Sequence, residues 1–266
     1  MKFRKSIMLS VILAAAALSL AGCSQENSAS EEQPGGQPAK SLVVYSGAGL
    51  RKPMDEIARV FKENTGTEIS YNYAGSAQLL SQMELSGEGD VFIPGDTIDM
   101  DRAVEKGFAE PNYRKVAYHI PVIGVPEGNP AGITRLEDLA RPGLKVIIGD
   151  EKANAIGKLA VKIFQKNNLW EDVQQNIVAR DATVNEVVTH TVMKQCDASI
   201  VTEDNAVNVK DMEYIQIPAE QNEIETIPIG VLTFSQHPDA AKQFADFVSS
   251  SEGREIFLEY GFKPVD

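Results

Sequence analysis

The chain reads as an α/β protein of two lobes, each a mainly parallel sheet flanked by helices and the two joined by crossover strands. Three observations predict this. Short apolar runs of strand length alternate with helical patterns from Ser41 onward, the order that covers a parallel sheet on both faces. Twice the rhythm gives way to a long extended run carrying prolines, at Val116 to Val125 and at Ile224 to Phe234. Glycine-containing loops, Gly47-Ala48-Gly49 and Gly75-Ser76, follow strands and precede helices, where α/β folds place a small ligand.

Before the folded part, Lys2, Arg4 and Lys5 precede an apolar run from Ile7 to Ala21 that closes on Leu20-Ala21-Gly22-Cys23. A charged start, an apolar segment of about 15 residues and small residues before a cysteine form a lipobox, too short for a membrane span. Residues 1–22 are therefore expected to be a signal peptide, with Cys23 as the lipidation site. The alternative is an ordinary secretory signal in which Cys23 is incidental. Residues 23–40 are rich in Ser, Glu, Gln, Gly and Pro and read as a lipidated tether that cannot bury enough apolar surface to fold. The expected location is extracytoplasmic, on a bacterial-type membrane, in the periplasm or at the cell surface.

The first strand, Ser41 to Ser46, carries Leu-Val-Val-Tyr. Pro53 then sits in the first turn of a helix, whose Met54, Ile57, Ala58 and Phe61 share a face and which stops near Gly66. A strand at Ile69 to Tyr73 follows, then a helix with Leu79, Leu80 and Met83, a strand at Val91 to Ile93 and a helix from about Met100 to Lys106. Beyond the first extended run come strands at Lys145 to Ile148, Ile177 to Ala179 and Ala198 to Val201, separated by helices over Ala155 to Asn167 and Asn185 to Lys194. Two helices, Asp239 to Ser249 and Glu252 to Tyr260, end the chain. The extended runs divide it into residues 41–117 as the first part of lobe 1, 118–225 as lobe 2, and 226–266 as the return crossover and second part of lobe 1.

The formal net charge of −13 becomes more negative once the basic leader is removed, which excludes nucleic acid as a natural partner. Cys196 is the one cysteine beyond Cys23, so no intramolecular disulfide forms in the mature chain, and Cys196 reads as a small core residue. Of three histidines, His190 reads as a helix-surface residue and His237, before Pro238, as an exposed turn; His119 stands on the first crossover beside Ile120-Pro121, either packing the hinge or facing the cleft. None sits in a nucleophile elbow or a metal-binding spacing, so no catalytic residue, metal or cofactor is expected. Asp96, Glu203 and Asp204 follow strands and read as rim charges and caps, or as groups favouring a cation, a protonated oxyanion or an organic ligand.

Three loops carry a resemblance. Tyr45-Ser46-Gly47-Ala48-Gly49-Leu50, then Ala74-Gly75-Ser76, then Asp90-Val91-Phe92-Ile93-Pro94-Gly95-Asp96 occur in the order and spacing of the periplasmic molybdate-binding proteins of ABC importers. Gly149-Asp150, Thr183-Val184-Asn185, Ala198-Ser199-Ile200-Val201 and Glu259-Tyr260-Gly261-Phe262 resemble that family too. The resemblance implies a type II periplasmic-binding-protein fold and no catalysis. It also implies a monomer that captures molybdate or tungstate between its lobes and hands it to an ABC permease. In that family a dehydrated oxyanion is held by neutral donors, two serine hydroxyls, main-chain amides at helix starts and a tyrosine hydroxyl, without a fixed countercharge. Carried over, the second serine falls on Ser76 and the amide donors near Ile156 and Val184. Where the family offers its first serine this chain has Gly49, and where it offers tyrosine this chain has Thr202; Ser46 is the candidate replacement hydroxyl. On this reading Gly49→Ser restores a donor, unless Gly49 has a positive backbone angle. A different oxyanion, a metal cation or a small organic ligand on the same fold is the alternative reading, and an extracytoplasmic enzyme the remoter one.

Overall fold

The structure is a computed structural model describing residues 41–207 and 209–265. The signal peptide, Cys23 and the tether lie outside the described residues.

The chain opens with strand β1 (Ser41–Gly47), a 3₁₀ turn over Ala48–Leu50 and helix α1 (Arg51–Thr65). Alternation along β1 sends Leu42 and Val44 to one face, against Met54, Ile57 and Phe61 of α1, and Tyr45 to the other, against Leu79 and Met83. Each such side chain, fully buried, contributes about 1.5–3 kcal/mol. The helix stops at Gly66, whose φ of 73° forms a left-handed cap that glycine adopts without steric cost. Strand β2 (Glu68–Ala74), helix α2 (Ser76–Ser86), strand β3 (Val91–Ile93) and helix α3 (Thr97–Glu105) complete the first run.

The first extended run is cut at Ile120 into β4 (Arg114–His119) and β5 (Pro121–Pro126), which belong to different sheets. Then follow β6 (Val146–Gly149), α4 (Ala155–Lys166), α5 (Trp170–Asn176), β7 (Ile177–Asp181), α6 (Val184–Val192), β8 (Ala198–Thr202), the single turn α7 (Glu203–Ala206) and β9 (Met212–Gln216). The chain returns through β10 (Glu225–Val231) to α8 (Pro238–Val248), α9 (Ser251–Glu259) and β11 (Lys263–Pro264).

One sheet has the order β11-β4-β10-β3-β1-β2 and the other β7-β6-β8-β5-β9. Most strands of each sheet run one way, as expected of mainly parallel sheets, and each sheet also holds antiparallel pairs. The strands that alternate with helices pair in parallel, β2-β1-β3 and β7-β6-β8. The antiparallel pairs all involve strands of the two extended runs, β10 with β3 and β4, β11 with β4, and β5 with β8 and β9. Because β10 is antiparallel to both β3 and β4, β4 runs with β1–β3, and because β5 is antiparallel to both β8 and β9, β9 runs with β6–β8; β10 and β11 in one sheet and β5 in the other are the strands that run against the rest.

Each sheet carries its own apolar core. Phe61 of α1 meets Phe244 of α8 edge-on at 5.0 Å, fixing the carboxyl-terminal helices onto the amino-terminal sheet. Phe164 of α4 and Val187 of α6 are fully buried around the second sheet. Cys196 lies in that second core, where burial pushes its thiol up to about 11. Among the described residues, no helix is long and apolar enough to cross a membrane.

Candidate functional site

The carboxyl ends of strands from both sheets face one cleft, which encloses about 450 Å³ with its solvent-filled mouth included. From the first sheet it is lined by the 47–50 loop, Ala74, Gly75, Ser76 and Gly95; from the second by Asn154, Ala155, Ile156, Leu159, Thr183, Val184 and Thr202; His119 lies at the junction. The helix starts are set by their sequences. Asn154 accepts from the Gly157 amide at 2.8 Å, and Thr183 forms a reciprocal capping box with Glu186. Each cap takes a third-position amide and leaves the earlier ones directed at the cleft.

The two walls touch. The Ala77 amide donates to the Ala153 carbonyl at 3.3 Å, and Asn185 Nδ2 donates to the Ala48 carbonyl at 2.8 Å. A Cβ on Gly75 would lie 2.6 Å from the Ala153 oxygen and 2.8 Å from the Ala182 oxygen, so this approach requires glycine. Lys158 of α4 donates to Asp96 at 2.8 Å and to Asp99, both on the opposite wall. Burial, with the Asp99 charge adding to it, holds the Asp96 carboxyl above the usual carboxylate range, although Lys158 pulls it down.

Five of the six residues singled out for ligand binding line the cleft. Ser76 is 3% exposed and its Oγ accepts from the Gly95 amide at 3.1 Å, which leaves the hydroxyl proton free to donate into the cavity. Ile156 and Val184 contribute first-turn amides that have no intrahelical acceptor, and among the described residues no other protein acceptor replaces it. Gly49 lines the wall, but its backbone angle is not positive; the constraint there is steric, with Val184 Cγ1 2.8 Å from where a Cβ would stand. Thr202 reaches the cleft with its hydroxyl engaged, donating to Asp204 at 3.0 Å and accepting from Asn205 at 2.9 Å. Ser46 does not reach it. It is fully buried, with Oγ 3.4 Å from the Gly47 carbonyl, because strand alternation turns it away.

The remaining acidic candidates also have hydrogen-bond partners, although Glu203 Oε2 is buried without one. Asp96 caps α3 through the Asp99 amide at 2.7 Å as well as binding Lys158. Asp204 is buried and accepts from His119 Nδ1 at 3.2 Å. Glu203 accepts from Gln216 at 2.8 Å. Among the described residues no cluster of three or more His, Cys, Asp or Glu could hold a metal ion. The sequence reading weighed His119 without placing it; its position at the end of β4, where the chain changes sheets, puts its ring in the wall.

Two α/β units closing on a cleft lined by helix starts define a solute-binding protein, with a site built to hold a small ligand through amides and a hydroxyl. The chain belongs to the bacterial extracellular solute-binding protein family, whose sequence pattern matches residues 42–263. A binding protein of Haemophilus influenzae is 32% identical over 228 residues, covering 85% of this chain and 92% of its own. The molybdate-binding protein ModA of Mycobacterium tuberculosis is 29% identical over 245 residues, 91% of this chain and 92% of the relative. The sulfate-binding protein SubI of the same organism superposes with a TM-score of 0.76 at 20% identity, over 85% of this chain and 88% of SubI. The fold is the type II periplasmic-binding-protein fold.

Proposed function

We propose that the protein is the lipid-anchored substrate-binding component of an ABC importer, which captures a tetrahedral oxyanion, molybdate or tungstate, between its lobes and delivers it to the membrane permease without catalysing a reaction. The observation that carries this is the donor set: a free serine hydroxyl at Ser76 and unpaired first-turn amides at Ile156 and Val184. Amides at helix starts supply partial positive charge and directed hydrogen bonds, compensating a buried anion without lysine or arginine. The resemblance to the Mycobacterium tuberculosis ModA over most of both chains supports molybdate as the ligand. Gly49 contributes a main-chain donor at most, and Thr202 serves the wall.

On this reading lobe 1 comprises residues 41–117 and 226–266 and lobe 2 residues 118–225, with bending at Ile120 and at 217–224 opening the cleft. Leu20 to Cys23 supports the anchor, and Cys23→Ala is expected to abolish lipid labelling; unchanged incorporation of labelled lipid removes the claim. For the ligand, melting is measured with molybdate, tungstate and sulfate. A ligand at a thousand times its dissociation constant adds about 4 kcal/mol to a fold it alone binds, so molybdate and tungstate should raise the melting temperature well above the shift from sulfate. A shift only with sulfate would favour a second reading, a site for a smaller oxyanion. No shift with any of the three oxyanions overturns both.

A further inference from the structure

We propose that His119 is a direct ligand contact that donates from Nε2 as an imidazolium, so that capture of the anion takes up a proton. The inference rests on the oxyanion reading above and names a charged donor that the neutral donor set lacks. His119 is 6% exposed and, among the described residues lining the cleft, is the one with an ionisable side chain. Its Nδ1 lies 3.2 Å from Asp204 Oδ1. Asp204 Oδ2 is held by the hydroxyl of Thr202 at 3.0 Å and by Asn205 Nδ2. That carboxylate therefore has a fixed direction, and as an acceptor it requires an N–H on Nδ1. The other ring nitrogen faces the site: a Cβ placed on Gly95 would lie 3.6 Å from His119 Nε2 and 3.8 Å from Ser76 Oγ. The free serine hydroxyl and Nε2 thus border the same small volume.

The remaining charged groups on the elements around the ring have partners of their own, apart from one oxygen of Glu203. Glu225, its register partner on β10, accepts from the Thr97 hydroxyl at 2.8 Å. Glu203 on α7 accepts from Gln216 through Oε1, while its buried Oε2 has no hydrogen-bond partner and lies 3.9 Å from Lys263 Nζ of β11. Lys158 of α4 is paired with Asp96 and Asp99. On α9 and its exit, Phe262 packs against the ring at 5.6 Å and brings no charge. Asp204 is the charged group that faces His119. With a carboxylate on Nδ1 and an oxyanion on Nε2, the doubly protonated ring satisfies both acceptors, and the second proton comes from solvent when the anion enters. A neutral ring would instead present a lone pair to the ligand and select an oxyanion carrying its own O–H, such as hydrogen phosphate.

The test is calorimetric titration of the intact protein with molybdate between about pH 6.5 and pH 8.5, in buffers of different ionisation enthalpy. The expected result is uptake approaching about one proton per anion at the alkaline end, with affinity falling roughly tenfold per pH unit there. His119→Gln, which keeps an amide donor without a titrating group, should abolish the uptake and flatten the profile. Asp204→Asn, which removes the carboxylate, should move the affinity loss to lower pH. Melting of each variant without ligand separates folding damage from binding loss, and the parent's proton count stands even if a variant fails to fold. Tight binding of molybdate with no proton uptake and no pH dependence overturns the role of His119 and leaves the oxyanion reading intact. Binding of hydrogen phosphate in preference to molybdate also overturns it, in favour of the neutral ring. Failure of the parent to bind any tetrahedral oxyanion at any pH overturns both readings together.

Discussion

Lys158 lies in the wall opposite its partners. It sits on α4 of the second sheet, 12% exposed, and its ammonium reaches Asp96, the cap of α3, and Asp99 within α3, whose side chains are 2% and 0% exposed. Changing Lys158 to Met keeps the aliphatic stem and removes the charge. In a rigid interior, deleting one partner of a buried ion pair costs about 3–5 kcal/mol, because the other charge stays desolvated. On the proposed opening of the lobes, water reaches the two carboxylates and the cost falls on closure. Arg102 also binds Asp99 at 2.9 Å, which keeps the cost near the lower end. At about 1.4 kcal/mol per tenfold, a penalty of about 3 kcal/mol weakens molybdate binding roughly a hundredfold, with little change in the melting of the ligand-free protein. The pH dependence has a definite sign. Burial holds Asp96 above the usual carboxylate range in the closed form, and removing Lys158 raises it further. A group whose pKa is raised on closure favours closure below its open-state pKa, and loses that contribution as pH rises through the closed-state value. The ratio of variant to parent dissociation constants should therefore shrink as pH falls from about 7 towards 5. Calorimetry at two pH values and small-angle scattering without ligand check this, the variant being the more expanded. A ratio near one at neutral pH, with the two proteins equally compact, would refute the idea that this contact holds the lobes together.

Two further substitutions test the donor set. Ser76→Ala removes the hydroxyl that accepts from Gly95 and faces the cavity; loss of a hydrogen bond to a charged ligand should weaken molybdate binding by about 1.5–3 kcal/mol, ten- to a hundredfold by calorimetry. Affinity equal to the parent would mean that the anion sits elsewhere. Gly49→Ser should weaken binding rather than restore a donor, because its Cβ would stand 2.8 Å from Val184 Cγ1 and 3.2 Å from Asn205 Nδ2 across the closed cleft. Since both obstacles belong to the other wall, ligand-free melting should change little, and tighter binding would contradict the steric argument.

Most of the fold was legible because its signals are local. The alternation of Leu42, Val44 and Tyr45 and the 3.6-residue spacing of Met54, Ile57 and Phe61 each bury one face, and Gly66 ends a helix whatever lies around it. The elements missed were short or non-local. Helix α5, with Glu171 and Asp172 in its first turn, lay behind Asn167-Asn168, which read as an end rather than a pause. Strands β9 and β11 are edge strands, defined by pairing with β5 and β4 rather than by any apolar run of their own. The mixed character of the sheets was hidden for the same reason. The extended run Val116 to Val125 marks where the chain passes between lobes, within a few residues of Ile120, but not the direction in which β4, β5 and β10 pair, which is set by their neighbours in each sheet.

In the site, backbone donors were easier to read than side chains. A helix start is announced by its cap, so Ile156 follows from Asn154 and Val184 from Thr183. A hydroxyl is harder, because its use depends on every acceptor within reach. Thr202 stands at the end of β8, where a ligand group was expected, yet two residues later Asp204 takes its proton. That diversion links the departure at Thr202 to the histidine. Where the resemblance implies a tyrosine hydroxyl on the anion, the Thr202 hydroxyl instead fixes the Asp204 carboxylate, and that carboxylate holds Nδ1 of His119, whose ring lines the cavity. A neutral donor would thus be exchanged for one that can carry charge. The two features follow one geometry, so changing Thr202→Val should loosen Asp204 and reduce proton uptake at His119 without touching the ring, measured by the same buffer-dependent calorimetry. Undiminished uptake in that variant would show that Asp204 holds its position through Asn205 and the ring alone.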